Sequence, residues 1–300
     1  MIRGLAVLAS ARRGDVVPCG RRQIAGVETL VARPSEGSGP VVVFANAATS
    51  RGIDEPLVGR VLGSIACAGF VALAPELPHV KNGELTGSTV QALVSVCRAT
   101  GSPIALVGAS MGGGLVILAA AHPSLADHVS IVAAIAPFAS LRSMLRLATT
   151  GYYGEQPFAA EPLVGRAAVR SLAASAPEDP AVEALLANRD PNRFDALYAE
   201  LAPATRVLVE ELSPVTRMRH VRAPVELVSA PDDRFLPVGE ARALACAGRD
   251  VHLTVTHGLE HVRPRLHPGL LRVAGVLDRT LRRAAHAEHD QVELEPLPAP

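Results

Sequence analysis

The chain has 300 residues, 49% of them apolar, and its 29 basic and 29 acidic side chains cancel. That is enough apolar material for a large core, in the length range where an α/β fold often forms one domain with an insertion. No run of either charge forms a nucleic-acid footprint, and no apolar stretch approaches the length of a bilayer span.

Residues 1–24 read as an extension ahead of the fold; Leu5 to Ala9 is short for a signal-peptide core, although Arg12-Arg13 follows it. Val27 to Ala32 predicts a strand, and after a turn rich in Pro, Ser and Gly the near-continuous apolar run Pro40 to Ala45 predicts a buried one. Asp54 is expected to cap a helix reaching about Ala68, with Pro56 in its first turn and Gly69 ending it. Val71 to Ala74 is the next strand. Ser88-Thr89-Val90-Gln91 has capping-box spacing and opens a helix with Val90, Leu93, Val94 and Cys97 on one face. Pro103 to Val107 then reads as a strand, Gly113 to Ala121 as a helix and His128 to Ala136 as a strand. This alternation over residues 25–139 predicts a mostly parallel sheet with helices on both faces.

Residues 140–221 lack a plausible central strand. Leu141, Met144, Leu145 and Leu147 recur at helical spacing, and further helical stretches follow around Val182 to Leu186 and Ala196 to Leu212, so the segment reads as an inserted helical lid. Five of the nine aromatic residues fall here: Tyr152, Tyr153, Phe158, Phe194 and Tyr198. Two readings stay open, an apolar wall over a site, with Tyr152 and Tyr153 as substrate-pocket candidates, or a small core fastening the lid to the sheet. Residues 222–283 resume the alternation, with strands at Pro224 to Ser229 and Val251 to Val255 and helices at Pro237 to Ala247 and Pro268 to Arg283. The tail, 284–300, offers no face to bury and reads as disordered.

Cys19, Cys67, Cys97 and Cys246 form no close pair at metal spacing, and the last three lie in apparently helical apolar segments as small buried hydrophobes. The absence of a disulfide framework favours a reducing, cytoplasmic location.

The chemistry centres on Gly108-Ala109-Ser110-Met111-Gly112, between a strand and a helix. A serine on such a turn exposes its hydroxyl at the carboxyl edge of the sheet, and small neighbours are needed because the backbone there is crowded. The hydroxyl is a poor nucleophile without a base and a group to orient that base. Asp232 and Asp233 follow one strand directly, while His257 and His261 follow the last, so each role has two candidates.

Ser110, an acid and a histidine, in that chain order, make residues 25–283 resemble the α/β-hydrolase fold family, of the serine esterase and dienelactone-hydrolase-like kind. Dienelactone hydrolases proper use cysteine where this chain has Ser110. The first strand of the family sheet reads as short or missing before Val27. Asp233, four residues before Pro237, resembles the family's acid position, and His261 resembles its histidine, with His257 the alternative. The resemblance implies an oxyanion hole made by the backbone N–H of Met111 and one from the loop after Pro40 to Ala45. That loop has Asn46-Ala47-Ala48-Thr49 where the family has a His-Gly stretch, so Ala47 and Ala48 are both candidates. It also implies a carboxylic-ester hydrolase cleaving an ester, thioester or lactone of a small or medium apolar acyl substrate through an acyl-serine, with no cofactor or metal. An acyltransferase or perhydrolase would use the same parts, and a noncatalytic ligand-binding protein on this fold is the alternative class.

Overall fold

A computed structural model describes residues 2–13, 17–101 and 103–287. The chain order begins with α1 (Ile2–Arg13), β1 (Gly20–Ile24), β2 (Val27–Ala32), β3 (Val41–Ala45), α2 (Pro56–Cys67), β4 (Val71–Pro75), α3 (Gly87–Ala99), β5 (Ile104–Ala109), α4 (Met111–Ala120) and β6 (Val129–Ile135). An insertion follows: α5 (Leu141–Thr150), the ribbon β7 (Tyr152–Tyr153) and β8 (Gln156–Pro157), α6 (Pro162–Ser175), α7 (Pro180–Ala187), α8 (Phe194–Glu200), α9 (Pro203–Glu211) and α10 (Pro214–Arg217). The chain returns through β9 (Val225–Ser229), α11 (Val238–Ala247), β10 (Val251–Val255), the ribbon β11 (Leu259–Glu260) and β12 (Arg263–Pro264), and α12 (Leu270–His286).

Eight strands form one sheet in the order β1-β2-β4-β3-β5-β6-β9-β10. The pairs β1–β2 and β2–β4 are antiparallel and the rest parallel. Because successive strand residues face opposite ways, the apolar runs supply two cores at once. Val43, Ala45, Leu106, Val132 and Ala134 pack on the α3, α4 and insertion side, while Val42, Phe44, Ala105, Val107, Ile131 and Ala133 pack on the α2 and α12 side. The register sets Ala45 beside Gly108 and Ala109 beside Ile135, and Ile135 beside Val228. The carboxyl ends of the central strands therefore line up along one edge, where open α/β sheets bind ligands.

The structure departs from the sequence reading in several places. The segment before Val27 contains β1, whose Gly-Arg-Arg-Gln-Ile sequence has no apolar run because it is an edge strand with one half-exposed face. Residues 2–13 are helical: α1 lies against α12 so closely that a Cβ on Gly4 would sit 2.0 Å from the Ala274 carbonyl oxygen. Helix α3 is capped by Thr86, through a reciprocal pair with Thr89, rather than by Ser88. Asp54 caps nothing and instead ion-pairs with Arg21 of β1. The single helix read over Ala196 to Leu212 is two, because Pro203 cannot continue α8 and opens α9 instead. Of the cysteines, Cys97 is buried, Cys19 half-buried, and Cys67 and Cys246 exposed on the outer faces of their helices. The last helix continues three residues past Arg283, and residues 288–300 of the tail lie outside the described residues.

Candidate active site

Ser110 occupies the turn between β5 and α4 with φ 54° and ψ −118°, a conformation that costs an L-residue about 1–3 kcal/mol and persists only where the surroundings impose it. Here they do. The Ser110 N–H donates to the Ile135 carbonyl at 2.8 Å, and its carbonyl accepts from Gly113 N at 2.9 Å. The flanking glycines are a steric requirement: a Cβ on Gly108 would lie 2.2 Å from the Gly112 oxygen, and one on Gly112 would lie 2.1 Å from the Ala45 oxygen. The same close approach brings the end of β3 against the start of α4.

Asp233 follows β9, and its side chain is fully buried. Oδ1 accepts the Phe235 N–H at 2.7 Å and the Leu236 N–H at 3.1 Å, which leaves Oδ2 to accept from Nδ1 of His261 at 2.9 Å. His261 falls in the two-residue turn of the β11–β12 ribbon and has φ 54°, the sign a tight hairpin demands at that position. Its ring stacks on Phe235 with centroids 4.4 Å apart. The other histidine and aspartate form a separate pair: His257 Nδ1 lies 3.6 Å from Asp232 Oδ1, both side chains exposed, and Asp232 also meets Arg265. The structure thus pairs His261 with Asp233 and holds His257 apart from them.

Ser110, Met111 and His261 line one pocket of about 480 Å³. Ala47, Ala48 and Thr49 form part of its rim, but the two alanine amides differ. Asn46 folds back on its own loop, accepting the Ala47 N–H on Oδ1 at 2.8 Å and donating from Nδ2 to Gly52 O at 2.9 Å. The Ala47 N–H is therefore engaged, and of the two sequence candidates Ala48 has the amide outside that turn. Met111 is the first residue of α4, where helix N–H groups have no partner within the helix.

The pocket walls are mostly apolar. Phe138 approaches from the turn after β6, Leu141 and Met144 from α5, Val164, Ala167 and Ala168 from α6, and Leu85 from the loop before α3, with Glu161, Glu260 and Arg263 as the charged lining residues. Tyr152 and Tyr153, read from the sequence as pocket residues, are not part of it. They form β7, and Tyr153 packs on Gly239; burial, reinforced by the Glu240 charge, raises its phenol above the ordinary range. Phe194 and Tyr198 are buried and stack with centroids 6.0 Å apart beneath Arg146 and Arg142. These aromatics hold the insertion together, and the wall is made by side chains whose sequence pattern is that of any amphipathic helix.

Glu240 went unread in the sequence. It is buried in the first turn of α11, and its carboxylate accepts the N–H groups of Ala139 and Ser140 and the Ser143 hydroxyl. Burial pushes its carboxyl up, against these hydrogen bonds, which pull it down. Its partners lie about a hundred positions away, so no local signal marks it. Among the described residues no three His, Cys, Asp or Glu side chains are grouped to hold a metal ion, and no helix is long and apolar enough to cross a membrane.

No family profile and no curated protein matches the chain. Solved structures do. Est1E from Butyrivibrio proteoclasticus superposes with a TM-score of 0.56 at 15% identity over 89% of this chain and 99% of that one. The acylaminoacyl peptidase of Pyrococcus horikoshii gives 0.60 at 12% identity over 92% of this chain, which corresponds to only 43% of the peptidase. A bacterial membrane phospholipase A gives 0.54 at 17% identity, covering 93% and 92% of the two chains. The chain has the α/β-hydrolase fold.

Proposed function

We propose that the chain is a serine hydrolase that cleaves an ester, thioester or lactone of a small or medium apolar acyl group through an acyl-serine intermediate. The observation that carries this reading is that His261, paired with the buried Asp233, opens onto the same apolar pocket as the strained Ser110. The fold shared with Est1E, the acylaminoacyl peptidase and the phospholipase A supports it.

In this mechanism the Ser110 hydroxyl attacks the substrate carbonyl while Nε2 of His261 takes its proton. Asp233, bonded to Nδ1, fixes the tautomer that leaves Nε2 free to accept and stabilises the imidazolium that forms. The carbonyl oxygen becomes an oxyanion held by the amides of Met111 and Ala48, a term that removal of one donor typically shows to be worth about 3–4 kcal/mol. The tetrahedral intermediate collapses, His261 passes the proton to the departing alcohol or thiol, and the acyl chain remains on Ser110 among Leu141, Met144 and Val164. Water, deprotonated by His261, then releases the acid and restores the serine.

A serine-directed phosphonate tests the reading by intact mass. One adduct on the wild type, none on Ser110→Ala, and hydrolysis of chromogenic esters by the wild type alone are expected. A protein that gains no adduct is a binding protein on this fold. Adding an alcohol or hydrogen peroxide to the ester assay separates hydrolysis from acyl transfer and perhydrolysis by the product formed.

A further inference from the structure

We propose that Glu240 is a positioning residue for the acyl pocket, holding the wall formed by residues 138–144 so that discrimination between acyl lengths depends on a carboxylate that never touches substrate. The inference rests on the pocket beside Ser110 being the acyl site. Residues 138–144 leave the carboxyl edge of β6 and turn into α5, carrying Phe138, Leu141 and Met144 into the pocket. Such a turn brings the unpaired N–H groups of a helix start into a buried setting, where each needs an acceptor. Ser140 caps one, accepting from Ser143 N at 3.3 Å. Glu240 Oε2 takes two more, from Ala139 at 2.6 Å and Ser140 at 3.0 Å, while Oε1 accepts the Ser143 hydroxyl at 2.7 Å.

The carboxylate belongs to α11, which begins five residues after Asp233, and Leu236 between them lines the pocket. One rigid segment thus carries both the acid that orients His261 and the group that anchors the apolar wall. Tyr153 packs against the same helix start: its ring and hydroxyl occupy the space that a side chain on Gly239 would fill, setting the insertion's ribbon beside Glu240. Without Glu240 the Ala139 and Ser140 amides are left buried and unpaired, and the wall must move to find them water or another acceptor.

Glu240→Ala and Glu240→Gln are compared on chromogenic esters of short and medium acyl length. For Glu240→Ala the ratio of kcat/KM on the medium chain to that on the short chain is expected to fall about tenfold, chiefly through KM, the mark of lost ground-state binding. Glu240→Gln is expected to restore the ratio to within about threefold, because its oxygen still accepts both amides and its NH₂ faces the Ser143 oxygen. Should Glu240→Ala fail to fold, Ser143→Ala removes the bond to Oε1 and is expected to lower the ratio in the same direction. The same series in a Ser110→Ala background, read as affinity for a fluorescent medium-chain fatty acid, tests the wall without turnover. Loss of fatty-acid affinity in Glu240→Ala supports the positioning role even where no ester is cleaved. An unchanged ratio and affinity, or equal losses on short and medium esters that Gln does not rescue, overturn it.

Discussion

Asp233→Asn isolates the part of the proposed mechanism that the geometry states most narrowly. The carboxylate makes three bonds, two from the Phe235 and Leu236 amides to Oδ1 and one from His261 Nδ1 to Oδ2. Asparagine has one acceptor oxygen, and leaving two buried N–H groups unpaired costs more than leaving one, so its oxygen takes the Oδ1 position. The NH₂ then faces His261 and donates to Nδ1, which drives the ring proton to Nε2. His261 in that tautomer cannot accept the Ser110 proton. Substitution of this kind in a Ser-His-Asp arrangement lowers kcat about 10⁴-fold, or about 5.4 kcal/mol at 1.36 kcal/mol per tenfold. The fold should survive, because two of the three bonds persist. Steady-state kinetics on a short acyl ester, with a thermal melt as a control, measures the effect. Asp232→Asn, which alters an exposed group paired with His257 and Arg265, is expected to stay within about twofold of wild type. If Asp233→Asn keeps more than roughly a tenth of wild-type kcat, the tautomer argument fails.

His261→Ala should abolish turnover and slow phosphonate labelling, whereas His257→Ala should leave both near wild type; the reverse pattern would move the base to the exposed pair. Gly114→Ala is expected to lower the urea midpoint at unchanged slope by about 1–3 kcal/mol of stability, because its Cβ would lie 2.1 Å from Cε1 of Phe138 and overpack the helix start. Burial raises the Glu240 carboxyl in the folded protein, so the folded state binds its proton more tightly than the unfolded chain does, and stability declines as pH rises from about 4.3 through the raised value. Unfolding of wild type and Glu240→Gln at pH 5 and pH 8 should therefore show the wild type losing ground to the variant at the higher pH; a constant difference would mean that the charged form is fully compensated.

What the chain declares locally is the alternation of apolar runs with Gly- and Pro-marked turns, and this suffices for a parallel sheet and for a serine at a strand-to-helix turn. Buried strands such as Val41–Ala45 and Ile104–Ala109 are legible because both of their faces are apolar, and Gly108 and Gly112 are legible because nothing larger fits. Strand Gly20–Ile24 was not, since an edge strand with charged outward residues has no such signature. Nor were the pocket walls, because whether an aromatic residue such as Tyr153 lines a cavity or fills a core depends on what packs against it. Which histidine meets which aspartate, which alanine amide stays outside the Asn46 turn, and where Glu240 finds its donors are settled by segments far apart in sequence converging at one sheet edge. Tertiary structure decides these because hydrogen bonds in the buried interior depend on distance and direction between groups, and a linear order of residues specifies neither until the chain has closed around them.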